Sequence, residues 1–380
     1  MEIKMAESWK HCDEGLPSAT RKYVYDDDFF AFFKGKKIFI TGVSGFKGSW
    51  MLKILSDAGA DVTGYSLKSP TDPALFELIE GPKLCRFIEG DVRDFDALSS
   101  AVKEAEPEIV IHLAAQPIVR ESYLNPVYTY ETNVMGTVHI LEAVKNCPSV
   151  KSFLNVTTDK VYFNNEWEWG YREEDPLDGF DPYSNSKSCS ELVTHSYKNS
   201  FFGKQGYSLA AVSTARAGNV IGGGDFAKDR IIPDCVRATS SKETVIVRNP
   251  YSTRPYQHVL EPVMAYLMIV KESYLGGDKS GYYNVGPDET DCVTTGDLVD
   301  MFCEKWGDGL SWVNKAAAFS PHEAGLLKLD CSKIKRVFGW RPRWNVSQAL
   351  DKVVEWTKVY LAGGDVSAEM SREIKEYCGT

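Results

Sequence analysis

A short apolar run, Lys37 to Thr41 (KIFIT), leads directly into Gly42-Val43-Ser44-Gly45-Phe46-Lys47-Gly48, and a helical pattern opens behind it near Ser49. Few arrangements constrain a fold as tightly. A buried strand has to turn at once into a helix, so glycines stand where the backbone bends and where another group must come close. The helix N-terminus is then left facing a crevice. Further strand-like runs lie at Val62 to Tyr65, Arg86 to Glu89, Ile109 to Leu113, Phe153 to Val156 and Leu209 to Arg216. Helical patterns fall between them, as at Ala97–Glu104, Tyr130–Lys145 and Lys187–Phe201. Strands rich in Ile, Val and Leu that alternate with helices predict an α/β fold built on a doubly wound parallel sheet.

After Asn219 the character changes. Gly222-Gly223-Gly224-Asp225 breaks the pattern, and a strand at Thr244 to Arg248 with helices at Glu261–Ser273 and Val346–Leu361 suggests a smaller C-terminal lobe. The expected division is an N-terminal extension (1–29), a dinucleotide domain (30–220), a region that is mainly substrate lobe (221–362) and a C-terminal tail (363–380). The site is expected between the two main parts.

The net charge of −10 argues against nucleic acid or an anionic membrane as the main partner. No apolar run approaches the roughly 20 residues of a membrane helix, and the first residues, MEIKMAESWKHCDEG, have no apolar core that would make them a signal peptide. Nine cysteines without a C-x-x-C pair and six dispersed histidines point to a reducing, cytoplasmic setting and to no metal site.

The glycine loop itself (Gly42, Ser44, Gly45, Phe46, Lys47 and Gly48) suits a dinucleotide pyrophosphate. An acid expected about 20 residues further on is missing, since the second strand ends Thr63-Gly64-Tyr65-Ser66-Leu67-Lys68. These residues leave NAD and NADP both open. Asp91 and Val92 follow the third strand, where Asp91 either reaches an adenine or caps a helix. His112 reads as a packed core histidine, with small residues after it at Leu113-Ala114-Ala115, and Asn133 sits where it can hold a kink in a long helix. Tyr183 and Lys187, four apart, share a helix face. An ammonium there is expected to draw the phenol towards its phenolate form, which can take an alcohol proton as hydride leaves the carbon. Thr158-Asp159-Lys160 ends the fifth strand, where open α/β sheets place ligands. Thr158 is placed to hold the alcohol oxygen, and Asp159 and Lys160 are a candidate acid and base.

Several stretches give the chain a family likeness: TGVSGFKGSW, HLAAQPIVRESY, TTDKVYFNNEWEWGYRE, DPYSNSKSCSEL, ARAGNVIGGGDFAKDRIIPD and RNPYSTRPYQHVLEP. From about Phe30 to Tyr360 the sequence resembles the extended short-chain dehydrogenase/reductases, the NAD-dependent epimerases and dehydratases of Rossmann-like fold. Within them it is similar to the sugar-nucleotide 4,6-dehydratases, most of which carry Asp-Glu where this chain has Asp159-Lys160. The resemblance implies a tightly held NAD that returns unchanged each turnover, CDP-glucose as substrate, a 4-keto-6-deoxy sugar as product and a homodimer or homotetramer. It implies redox roles for Thr158, Tyr183 and Lys187 and dehydration roles for Asp159 and Lys160. Cofactor contacts are implied for Asn133, Val156, Asn219 and Val220, and substrate contacts for Gln116, Asn219, Arg230, Arg254 and His258. Cytidine recognition comes from the likeness alone; a dehydratase or 4-epimerase acting on another sugar nucleotide is the alternative.

Overall fold

Successive side chains of a strand point to opposite faces, and in β1 (Lys37–Thr41) both faces are covered. Ile38 and Ile40 enter one core and Phe39 another. The same split recurs in β4 (Ile109–His112) and β5 (Ser152–Val156), where Val110 and Phe153 go one way and Ile109, Ile111, Leu154 and Val156 the other. This two-sided burial is why the strands read as unbroken apolar runs. With β2 (Asp61–Ser66), β3 (Arg86–Glu89), β6 (Ala211–Ala217) and a seventh strand, Tyr282–Val285, they form one parallel sheet in the order seventh-β6-β5-β4-β1-β2-β3. The structure is a computed structural model that describes residues 22–204, 206–315 and 325–379.

One face carries the helices Phe46–Asp57 and Leu260–Leu275, and the other carries Phe95–Ala105 and Gly136–Lys145. The predicted helix Tyr130–Lys145 is interrupted. A π-helical turn, Glu131–Met135, separates the helices Pro126–Tyr130 and Gly136–Lys145, and Asn133 sits inside it. The helix expected at Lys187–Phe201 begins earlier, at Pro182, because Asp181 accepts the Ser184 N–H as its cap. Tyr183 therefore lies in its first turn.

A third core, built from Ile232, Val245, Val247, Leu298, Phe302 and Leu350 among others, forms the smaller lobe. Two features differ from the expected division. The seventh sheet strand comes from beyond residue 220, so the chain returns to the large sheet after first entering the lobe. The expected extension also reaches too far. Residues 1–21 lie outside the described part, but Tyr25 and Phe29 are buried in the same core as Ile38 and Trp50. They are covered by the expected tail, which is a helix, Val366–Cys378, with Met370, Ile374 and Tyr377 buried. Aromatic residues near one end and an amphipathic helix near the other cover each other, a pairing that neither segment displays alone.

Among the described residues no cysteine is in a disulfide and no helix is long and apolar enough to cross a membrane. Met370 is fully buried on the inner face of the helix Val366–Cys378, so Met370→Ala should cost about 2–5 kcal/mol. Urea denaturation followed by circular dichroism checks this; a loss below half a kcal/mol would show that the helix adds little to the core.

Candidate active site

The glycine loop is built as its pattern implies. Gly42 has a φ of +75°, and a Cβ on it would meet Ala114 N at 2.7 Å. A Cβ on Gly48 would lie 2.3 Å from Gly42 O. These two glycines are fixed by close backbone packing. Gly45 differs: it caps the helix with no side-chain bond, and a Cβ there would meet only its own loop, at 3.3 Å. Its outer side is open, as a pyrophosphate seat requires. Ser44 Oγ shares a hydrogen bond with Ser66 Oγ (2.7 Å) and donates to Leu67 O (2.9 Å), tying the loop to the end of β2.

Around this loop several expected contacts have other employment. Asp91 accepts from the Arg93 backbone N–H and guanidinium, while Asp94, not Asp91, caps the next helix. Val92 is buried against Gly136. Asn133 accepts from Gln116 N (2.8 Å) and donates to Gln116 O and Ser186 Oγ. His112 is a core residue as expected, bonded to Thr41 and held down to about 3 by burial and by the charge of Lys187.

The chemistry-bearing residues meet in a cavity of about 560 Å³, a size that suits a small-molecule ligand. Thr158, Asp159, Lys160, Tyr183, Asn219 and Arg230 line it, with Val220 and Arg254 further along. Thr158 Oγ1 donates to Asp159 Oδ1 (2.9 Å), and Lys160 Nζ lies 3.6 Å from that same oxygen and 3.4 Å from Asn219 Oδ1. The second Asp159 oxygen is buried without a hydrogen-bond partner. An acceptor in that position suits a ligand hydroxyl.

The electrostatics of Tyr183 depart from expectation. Burial pushes its phenol up to about 12, only partly opposed by the hydrogen bond with Thr158, and Asp159 pushes the same way. Lys187 is not among the leading influences. Its ammonium donates to Val156 O (3.2 Å), and burial together with the charge of Lys47 brings it down to about 8. The protein alone therefore holds Tyr183 as the neutral phenol. Lys47 is also shifted, to about 8, by burial and Arg230 against the pull of Asp159 and Asp225.

Two expected substrate contacts are not on the cavity. His258 is fully buried between the rings of Trp50 and Trp344, with Nε2 3.4 Å from Glu373 Oε2. The short strand Gln257–His258 pairs with Val220–Ile221 and turns the ring inward. Gln116 spends its side chain on Ile118 and Thr129, which shapes the loop carrying Ile118 and Arg120 to the cavity wall. Conversely, Asp225, Asp229, Arg120 and Arg248 line the cavity without having been singled out. Asp225 accepts from Arg230 (3.0 Å). The signal for it was the glycine run just before: a Cβ on Gly223 would overlap the Trp356 ring at 2.0 Å, so the chain turns there against the lobe.

A family model described as GDP-mannose 4,6 dehydratase matches residues 39–353. The chain belongs to this dehydratase family. The CDP-glucose 4,6-dehydratase of Salmonella typhimurium is 49% identical over 349 residues, 91% of this chain and 97% of that one. A dTDP-glucose 4,6-dehydratase of Shigella flexneri is 27% identical, covering 86% and 93%. Among solved structures, a UDP-glucose 4-epimerase from Thermotoga maritima with UDP-glucose superposes with a TM-score of 0.74 at 21% identity, over 85% of this chain and 99% of its own. The dTDP-glucose 4,6-dehydratase of Bacillus anthracis with NAD gives 0.70 at 21%, over 87% and 99%. These two likenesses establish the Rossmann-like dehydratase/epimerase fold.

Lys187→Met should lower turnover by about 10²–10⁴-fold, the worth of an acid–base assembly. It should nevertheless melt no lower than wild type near neutral pH, because a charge that burial disfavours leaves with the amine. Below about 8 the lysine is protonated in both folded and unfolded chains, so the penalty is fully present there. As pH rises past that value the folded chain sheds the proton first and the penalty fades, so the variant's advantage should shrink. Calorimetry across that range tests this; a variant that melts lower throughout would show that the Val156 contact outweighs desolvation.

Proposed function

We propose that this chain converts CDP-D-glucose to CDP-4-keto-6-deoxy-D-glucose as an NAD-dependent 4,6-dehydratase. The observation that carries the reading is the convergence on one cavity of Tyr183 with Thr158, and of Asp159 with Lys160. The 49% identical relative, itself named a CDP-glucose 4,6-dehydratase, supports the substrate. The open face of Gly45 and the tight packing of Gly42 and Gly48 suit a dinucleotide. NAD bound there supplies the hydride acceptor and later donor, and a positive charge that favours the Tyr183 phenolate.

Tyr183 takes the proton of the sugar 4-hydroxyl, whose oxygen Thr158 holds. The resulting 4-ketone acidifies the hydrogen on C5. Lys160, left as the neutral amine when its proton passes to Asp159, takes that hydrogen as a proton, and Asp159 gives its own to the departing 6-hydroxyl, so water is lost across C5–C6. Hydride is then returned to C6 and the proton on Lys160 to C5. Asp159 lies within reach of both Thr158 and Lys160, which couples oxidation and elimination in one place. Arg230 and Arg254 hold the diphosphate, a task suited to guanidinium groups. The chain works in the cytoplasm as paired copies, a reading supported by the apolar Val127, Met135 and Leu192 exposed along the helices next to Tyr183.

The direct test is a panel of CDP-, dTDP-, UDP- and GDP-glucose, scored for a 4-keto-6-deoxy product by its alkali-induced absorbance. CDP-glucose should be the preferred substrate; a preference for another base, or a product that keeps its 6-hydroxyl, overturns the assignment. In Asp159→Asn, oxidation at C4 should survive while loss of water slows. A 4-keto sugar still bearing its 6-hydroxyl should then accumulate, readable by mass after borodeuteride trapping. In Lys160→Met, exchange of the C5 hydrogen with deuterated water should slow. If it persists, the base lies elsewhere on the cavity, with Tyr183 next in line.

A further inference from the structure

The cavity continues well past the reacting groups. Asp159 reaches it from just beyond β5 and Tyr183 from the first turn of the helix Pro182–Ser200. Arg230 stands next, since its charge is felt at both Tyr183 and Lys47. Beyond it the wall is made by the strand Val245–Val247 and the residues that follow, with Asn249, Ser252 and Thr295. Val245 and Val247 are buried in the core of the smaller lobe, so the wall that carries Arg248 belongs to the lobe and not to the sheet beside Tyr183. A sugar placed at Tyr183 and a diphosphate at Arg230 therefore leave this far wall for the nucleoside.

Arg248 is held there in a fixed orientation. Its Nη1 donates to Asp229 Oδ1 (2.9 Å) and its Nη2 to Asp234 Oδ2 (3.2 Å). Two of the five guanidinium N–H groups are used in these bonds, and the side chain, 34% exposed, lines the cavity. Beside it Ile246, 46% exposed, offers an apolar surface to the same space. A flat ring has a shelf to lie on and a planar fork of donors at its edge.

We propose that Arg248 selects the nucleobase, presenting two N–H donors to the adjacent N3 and O2 acceptors of cytosine. The inference rests on the CDP-glucose reading and extends it to a named side chain. The discrimination follows from the ring edge. Cytosine carries a lone pair at N3, whereas uracil and thymine carry an N–H there, which would face a donor and lose its hydrogen bond in a partly enclosed site. The two aspartates keep the fork from turning to relieve that clash.

The test is equilibrium titration of CDP and UDP into the NAD-loaded enzyme. Wild type should bind CDP more tightly, and Arg248→Met should weaken CDP by about 10–100-fold, the worth of one bidentate base contact, while UDP changes little. Arg248→Lys should lose the preference too, because it keeps the charge but not the fork; it also serves if the methionine variant fails to fold. The proposal is overturned if either variant keeps the wild-type preference. It is equally overturned if both nucleotides weaken by the same factor, which would make Arg248 a diphosphate contact. Wild type binding CDP and UDP alike would instead sink the CDP-glucose reading itself, and the role of Arg248 with it.

Discussion

Everything at the site is referred to one buried ion pair. Glu191, in the helix that carries Tyr183, meets Arg216 of β6 at 3.0 Å, with side chains 0% and 3% exposed. Taking two such charges out of water costs several kcal/mol each, and the loss is offset only when further hydrogen bonds satisfy them. Here they do. Glu191 also accepts from Thr157 and Thr214, and Arg216 donates to Tyr162 and to Glu173 O. Tyr162 passes the connection to Asn284 on the seventh strand, and Asn284 donates to Tyr171 O and Asp330 O. One guanidinium thus fixes the Tyr183 helix, the loop after β5 and the approach to the lobe relative to one another. This network ties the segment carrying Thr158 to the helix carrying Tyr183, alongside the hydrogen bond those two residues share.

The cavity is a place where charge is poorly solvated and incompletely paired. Arg230 has Asp225, and Lys160 has Asp159. Lys47, on the cavity wall, is held near 8 by burial and neighbouring cations, and Lys187, buried off the lining, is held near 8 by burial and the charge of Lys47. A site arranged like this favours an anionic ligand and holds amines close to the point where they can exchange protons. It also accounts for Tyr183: with Lys187 turned towards a carbonyl and an aspartate alongside, the Thr158 hydrogen bond and the charge of Arg230 offset only part of the cost of a buried phenolate.

How much of this is legible in the sequence depends on how local each signal is. The strand–glycine–helix unit and the Tyr183/Lys187 spacing are local, so β1 and β3 fall on their expected residues and the kink at Asn133 has a physical counterpart in the π-turn. Burial is a property of the whole molecule. His258 resembles any polar residue near a ligand motif until Trp50, Trp344 and Glu373, from three distant segments, close around it. Arg248 and Asp234 look like surface charges until the helix Ile231–Ser241 and the strand Val245–Val247 bring them together at the cavity. The electrostatics of Tyr183 were misjudged for the same reason, because a spacing of four shows that two side chains share a face but not where the ammonium points.

The way the two ends of the described chain cover each other also sets an order of assembly. Tyr25 packs against Tyr377, and Arg343 reaches both Tyr23 O and Tyr377 O. The sheet, meanwhile, lacks its edge strand until Tyr282–Val285 has been made. On a ribosome the aromatic cluster of Tyr25, Phe29 and Phe33 emerges before the strands of the sheet, gains cover from the helix Leu260–Leu275 and is completed only by Val366–Cys378. Through most of synthesis it is an uncovered apolar surface, and contacts between partners so far apart in sequence form slowly. An apolar surface left waiting in this way is open to wrong contacts until the helix Val366–Cys378 packs on it.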